Sequence, residues 1–371
     1  MKIKKVEVFA IRLPLKEPFV IAYDQYDDMP TIVTKISTDN GLVGWGEAVP
    51  DQHVTGETWE STFQVIQHEL GPLIINKCPF SVDLIHKKMN EKIFGAPTAK
   101  AAIDIALYDL MGKETGLPLY QLIGGKSNSL LDIPRVISIK TPEVMAADAK
   151  AAVEAGCQHI KIKVGSDPSE DIRRIKSVRE AIPKKVKIRV DANQSWSVTD
   201  AIYVIEKTKD CLVEWYEQPV GADDLLSLQE IRHATNVNIM VDEGVHNCHD
   251  LLKVYQLRAA NLLNIKLMKT GGIYPALALT SLAEAAGMVC QVGSMVESAI
   301  ATMAGAHLTI SRSIIQTNEM VGPLMFSRDI GSIRLDHYVL EVREVAGLGV
   351  EVDETAIKEF SSDYYLIEDG R

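Results

Sequence analysis

The strongest constraint on the fold of this chain is a recurrence. Eight stretches read as strands, over 133–139, 159–164, 187–191, 213–217, 239–242, 262–267, 289–293 and 314–319. The positions of interest at their ends are Ile139, Lys163, Asp191, Glu217, Asp242, Lys266, Gly293 and Glu319, separated by 24, 28, 26, 25, 24, 27 and 26 residues. Several are near-continuous apolar runs, as parallel strands buried on both faces require. Helical stretches lie between them. Thr141-Pro142 caps the first, Ser197 caps the third, and Gly287 closes the stretch over 275–286. A βα unit of about 25 residues repeated eight times predicts an α/β fold, a (β/α)8-type TIM barrel over 129–323. A doubly wound sheet is the competitor. No Gly-x-Gly-x-x-Gly follows an early strand, and eight units are many for it.

The rest of the chain has another texture. Residues 3–14 and 31–49 alternate apolar and polar side chains and read as strands, with a hairpin turn at Gly41. Stretches 57–70, 81–92 and 97–114 read as helices. Residues 1–128 are therefore expected to form an α+β capping domain. The segment 324–371 contains an alternating strand over 333–342 and the turn Gly347-Leu348-Gly349, and is expected to return to that domain. Net charge is −11 and pI about 5.4, which excludes a fold-wide nucleic-acid footprint. No run of 18 apolar residues is present, so no membrane span is expected, and the N-terminus lacks the apolar stretch of a signal peptide. Five cysteines with no Cys-x-x-Cys pair point to free thiols in a reducing, cytoplasmic compartment.

In a parallel barrel, chemistry sits at the C-terminal ends of the strands. Three successive strands end in carboxylates, at Asp191, Glu217 and Asp242. Neighbouring strands lie about 4.8 Å apart, so these side chains can converge. Converging carboxylates do not all stay ionised without a cation, and an all-oxygen site suits Mg²⁺. Any one of them alone is more simply a helix cap. Three at one phase in consecutive units favour a site. Lys161 and Lys163 share one face of the second strand, with Ile160, Ile162 and Val164 on the other. The apolar face must meet the helices, so the lysines face the barrel mouth. Lys266 ends the sixth strand, four places away in a ring of eight and so diametrically opposed. Two lysines flanking a chelated carboxylate can remove an α-proton from one face and return it on the other.

With these residues in place, the chain resembles the enolase superfamily, in its muconate lactonizing enzyme subgroup. The resemblance runs through Gly44-Trp45-Gly46-Glu47, Thr98 to Ala106, Lys161-Ile162-Lys163, Asp191-Ala192-Asn193-Gln194, Glu217-Gln218-Pro219, Asp242-Glu243, Lys266 to Gly272 and Gly347-Leu348-Gly349. It implies the modified enolase-type barrel with its capping domain. It further implies Asp191, Glu217 and Asp242 as ligands of Mg²⁺, with Mn²⁺ as a substitute. Lys163 and Lys266 match the acid/base lysines. Lys161 matches the contact to the substrate carboxylate, and Asn193 a polar site residue. Such sites work through an enediolate.

The subgroup includes muconate cycloisomerases, o-succinylbenzoate synthases, dipeptide epimerases and N-succinylamino acid racemases. Its dipeptide epimerases carry an Asp-x-Asp after the eighth strand, where this chain has Glu319-Met320-Val321. The segments 23–29, 51–57 and 293–298 are most similar to bacillus-type N-succinylamino acid racemases. The expectation is a racemase acting on an N-succinyl amino acid carboxylate, with muconate cycloisomerase as the runner-up. Tyr23 and Asp51 in the capping loops, Ser138, Ser294, Met295 and Glu319 are the candidate substrate contacts. Of the acidic residues Asp24, Asp27, Asp28 and Asp51, at least one is expected to face the pocket and favour a basic side chain. The backbone around Ser294-Met295-Val296, just before a helix, is the candidate donor for the succinyl carboxylate. A small-molecule carboxylate is thus the expected partner, and a homo-oligomer the expected assembly.

Overall fold

The computed structural model describes residues 1–129 and 131–368. Strands β1 (Ile3–Val20), β2 (Gln25–Thr38) and β3 (Val43–Ala48) form an antiparallel meander. The C-terminal strand Ser361–Glu368 pairs with the other edge of β1. The inner face of this sheet buries Val6, Val8, Ile32 and Ile36 in one cluster with Ala102, Ile103 and Leu107 of helix Pro97–Thr115. That helix approaches so closely that a Cβ on Gly46 would collide with the Ala102 carbonyl, which is why glycine stands there.

Eight parallel strands follow: β4 (Arg135–Ile137), β5 (His159–Lys163), β6 (Lys187–Asp191), β7 (Val213–Glu217), β8 (Ile239–Val241), β9 (Leu262–Ile265), β10 (Val289–Val292) and β11 (Ile315–Asn318). Each pairs with the next. The sheet curls into the expected barrel: Arg189 of β6 reaches Thr317 of β11 with a 2.7 Å hydrogen bond. Among the described residues no ladder joins β4 to β11. The Asn318 side chain bridges that seam instead, donating to the Asp132 carbonyl at 3.1 Å.

Several local expectations are corrected. The helix expected over 57–70 is α-helical only at Trp59–Val65 and widens to a π turn at Ile66–Leu70 before Gly71-Pro72. Pro72 has no N–H to continue the ladder. The expected loop 23–29 is mostly strand, because β2 begins at Gln25; only residues 21–24 turn. The first barrel strand ends at Ile137 rather than Ile139. The expected strand 333–342 is a hairpin of Arg334–Asp336 with Val339–Glu341, turning at His337 (φ 53°). It pairs with the chain at Asp132, beside β4, whereas Phe326 bridges to Leu15 of β1, Gly347 to Pro118, and the last strand pairs with β1. Thr141 opens its helix without a side-chain cap, whereas Ser197 caps as expected. All five cysteines are free, and among the described residues no helix is long and apolar enough to cross a membrane.

Candidate active site

The strand ends bring the predicted acids and lysines together. Asp191 and Glu217 are register partners on β6 and β7, and Asp242 is the residue after β8. Lys163 is the register partner of Asp191 on β5, with Lys161 two residues earlier on the same face. Lys266 follows β9 and starts the short helix Leu267–Thr270. Glu319 follows β11. All of these side chains are buried.

They form a dense charge network. The Lys163 ammonium lies 2.7 Å from Asp191 Oδ2 and donates to Asn193 Oδ1 at 2.9 Å. Lys161 bridges Asp191, Glu217 and Glu319 at 2.9, 3.0 and 2.8 Å. Lys266 lies 2.7 Å from Asp242 Oδ2, while Lys269 takes Oδ1 at 2.6 Å. Burial opposes the Asp191 charge, but Lys161 and Lys163 outweigh it and hold the carboxyl at about 2. Asp242 is likewise driven down by Lys266 and Lys269 against its burial. Burial pushes Glu217 up to about 8 and Glu243, beside Asp242, to about 7. Burial also disfavours the ammonium of Lys266, yet Asp242 raises it above the ordinary lysine value.

Among the described residues, no three ligand groups close around one point as they stand, because lysine ammonium groups lie between the carboxylates. The donor set still fits a hard divalent cation. Three carboxylates stand on adjacent strand ends, and the buried Glu217 Oε2 accepts no hydrogen bond.

Lys163 and Lys266 face a cavity of about 50 Å³, together with Asn193, Glu319, Tyr23 and Asp51. Ser294 and Met295 also line it. Ser138 lies instead in an adjoining cavity of about 120 Å³. A larger cavity of about 820 Å³ opens at the opposite end of the barrel, among strand-start residues such as Lys187, Val213 and Val289. It contains none of the acid–lysine network.

Of the four loop aspartates, Asp51 alone lines the small cavity. It accepts the Tyr26 hydroxyl at 2.8 Å and the backbone N–H groups of His53 and Val54. Asp28 is paired with Arg12, and Asp24 and Asp27 bind Gln25. The donors expected for a succinyl carboxylate are already engaged. The Ser294 hydroxyl and the Met295 N–H bind Glu297, and the Val296 N–H binds Ser294. Four non-glycine residues in these strand-end loops, Asn193, Gln194, Gln218 and Val296, hold positive φ. Strain of this kind gathers where a site over-determines its backbone.

Sequence reasoning missed Lys269, Glu243 and Glu297. Glu243 was visible as the neighbour of Asp242. Lys269 was signalled only by its place one helical turn beyond Lys266.

Known proteins resemble this chain over nearly its whole length. Residues 3–124 match the mandelate racemase/muconate lactonizing enzyme N-terminal domain, and residues 144–356 match the enolase C-terminal domain-like family. The N-succinyl-L-Arg/Lys racemase of Bacillus cereus is 45% identical over 97% of this chain and 98% of its own. A crystal structure of the N-succinyl Arg/Lys racemase from that organism superposes with a TM-score of 0.98 at 44% identity, covering 99% of this chain and 100% of the other. A dipeptide epimerase from Enterococcus faecalis, solved with Mg and L-Leu-L-Tyr, superposes with a TM-score of 0.92 at 38% identity, over 95% of this chain and 100% of the other. The chain belongs to the mandelate racemase/muconate lactonizing enzyme family of the enolase superfamily, and is an isomerase of the racemase/epimerase type.

Proposed function

We propose that this protein racemises N-succinyl amino acids, with a preference for basic side chains, by passing the α-proton between Lys163 and Lys266. The observation that carries the reading is the placement of two buried lysines on opposed strand ends, β5 and β9, facing one cavity. Lys163 takes the proton from one face of the α-carbon and Lys266 returns it on the other. Asn193 fixes the Lys163 ammonium by its hydrogen bond. Lys161 sets a permanent positive charge beside the substrate carboxylate. Asp191, Glu217 and Asp242 would hold Mg²⁺, which supplies Lewis-acid charge as the α-proton leaves. Asp51 is the counter-charge for a cationic side chain. The name of the Bacillus cereus relative supports that substrate class. Dipeptide epimerisation is the second reading, supported by the Enterococcus faecalis relative; Glu319-Met320-Val321 offers no Asp-x-Asp for a free ammonium. The free thiols support a cytoplasmic setting.

The test is α-proton exchange in ²H₂O. Both enantiomers of N-succinyl-Arg should exchange with the unaltered enzyme, and EDTA should stop the reaction until Mg²⁺ is restored. Lys163→Ala and Lys266→Ala should each abolish racemisation, by at least about 1,000-fold, with exchange of one enantiomer surviving in each. Racemisation at full rate in either variant overturns the assignment.

A further inference from the structure

The geometry points to a second, anion-binding subsite beside the lysine cavity. We propose that Lys16 and Arg135, with the Ser138 hydroxyl, receive the distal carboxylate of the substrate's acyl group. This rests on the racemase reading and adds to it the basis of choice for an acidic acyl chain.

The adjoining cavity of about 120 Å³ is lined by Lys16, Arg135 and Ser138, with the carboxylate of Glu17, and shares Phe19 and Val136 with the cavity that Lys163 and Lys266 face. Those two apolar side chains line both chambers. Register supplies the reach. Ile137 of β4 pairs with Ile162 of β5, and Ser138 and Lys163 are the residues that follow on these neighbouring strand ends, the strands lying about 4.8 Å apart. The distal carboxyl carbon of a succinyl group lies five bonds from the α-carbon, roughly 6 Å when extended. A substrate whose α-carbon sits at Lys163 can therefore place its acyl carboxylate at Ser138.

The chemistry of the chamber suits an anion. Ser138 is buried and its hydroxyl makes no hydrogen bond with the described residues. Arg135 and Lys140 share Glu17 at 2.9 and 3.0 Å, and Lys140 also holds Asp148 at 2.8 Å. Lys16 donates only to the Leu324 carbonyl, at 2.8 Å, and no described carboxylate pairs with it. Three cations against two carboxylates leave one positive charge uncompensated. The Ser294–Val296 segment, the other place with donors, has already spent them on Glu297 and Ser294.

The experiment compares N-succinyl-Arg with N-butyryl-Arg, which carries a methyl group in place of the acyl carboxylate. Turnover is read as kcat/KM and as α-proton exchange in ²H₂O. The unaltered protein should prefer the succinyl compound by about 10- to 100-fold, the range of a charge-assisted hydrogen bond. In the double variant Lys16→Met, Arg135→Met the preference should fall to within about threefold of unity. Ser138→Ala should reduce it by a smaller factor. If the double variant does not fold, Lys16→Met alone gives the same test, because its exposed side chain carries no ion pair. An unchanged preference in the variants, or equal turnover of both compounds by the unaltered protein, overturns the subsite and leaves the racemase reading standing. Exchange of neither compound overturns both.

Discussion

Asp51 illustrates how one side chain can hold its loop and line the lysine cavity at once. Its Oδ1 caps the turn at His53 and Val54, and its Oδ2 takes the Tyr26 hydroxyl at the cavity wall. Asp51→Asn keeps an oxygen for the turn while removing the charge. We expect kcat/KM for N-succinyl-Arg to fall about tenfold or more, and that for N-succinyl-Phe to change less than about threefold. Parallel losses on the two substrates would count against a cation-selecting role. At this scale the sequence was informative where alternation fixes direction. Lys161 and Lys163 had to face the mouth because their isoleucine neighbours could not. It was silent where direction depends on tertiary contact. Nothing local distinguishes Asp51 from Asp28, which ends on the outside with Arg12. Lys269 returns to Asp242 only because the chain turns helical immediately after β9.

Among the secondary-structure elements, the helix Ala299–Ser311 is buried along its whole length, so it lacks the one-sided apolar stripe that marks a surface helix. The hairpin at residues 21–24 was not legible in the sequence. The start of β2, Gln25-Tyr26-Asp27-Asp28, is polar and at most half-buried, and reads as loop. The buried helix also contains a pH-sensitive group. His307 accepts the Tyr120 N–H at Nδ1 and contacts the Leu348 carbonyl through Nε2, both at 3.1 Å. Burial disfavours its charged form and lowers it from 6.5 to about 4. A base depressed in the folded state adds stability above its unfolded value. That stability drains away as pH falls from about 6.5 towards 4, where only the unfolded chain takes the proton. Urea unfolding at pH 7 and pH 4.5 should show the unaltered protein losing on the order of 2 kcal/mol more than His307→Gln, carboxylate effects cancelling in the difference. Equal losses in the two proteins would mean that His307 titrates freely.

Across the whole molecule, the strand-end recurrence was enough to predict the barrel because the repeat is set by the length of a βα unit. What ties the barrel to the N-terminal sheet was not predictable, since it depends on single carboxylates reaching across domains. Glu47 of β3 accepts from Ser298 and Ala301 at the start of the helix Ala299–Ser311. Asp104 of the helix Pro97–Thr115 accepts from the backbone of Ile273 and Tyr274 at the start of Ile273–Ala285, and holds His86 Nε2 at 2.7 Å. These two latches set the position from which the β1–β2 hairpin and Asp51 overhang the lysines. Asp104→Ala leaves a buried helix start and His86 without their shared acceptor, an expected loss of about 3 kcal/mol in unfolding free energy. The functional consequence should separate the domains. Asp191, Glu217 and Asp242 all stand on the barrel, so calorimetric Mg²⁺ affinity should stay within about threefold. The cavity that Lys163 and Lys266 face is lined from both domains, so kcat/KM for N-succinyl-Arg should fall about tenfold, chiefly through KM. If Mg²⁺ affinity falls in step with kcat/KM, Asp104 supports the barrel itself rather than the placement of one domain on the other.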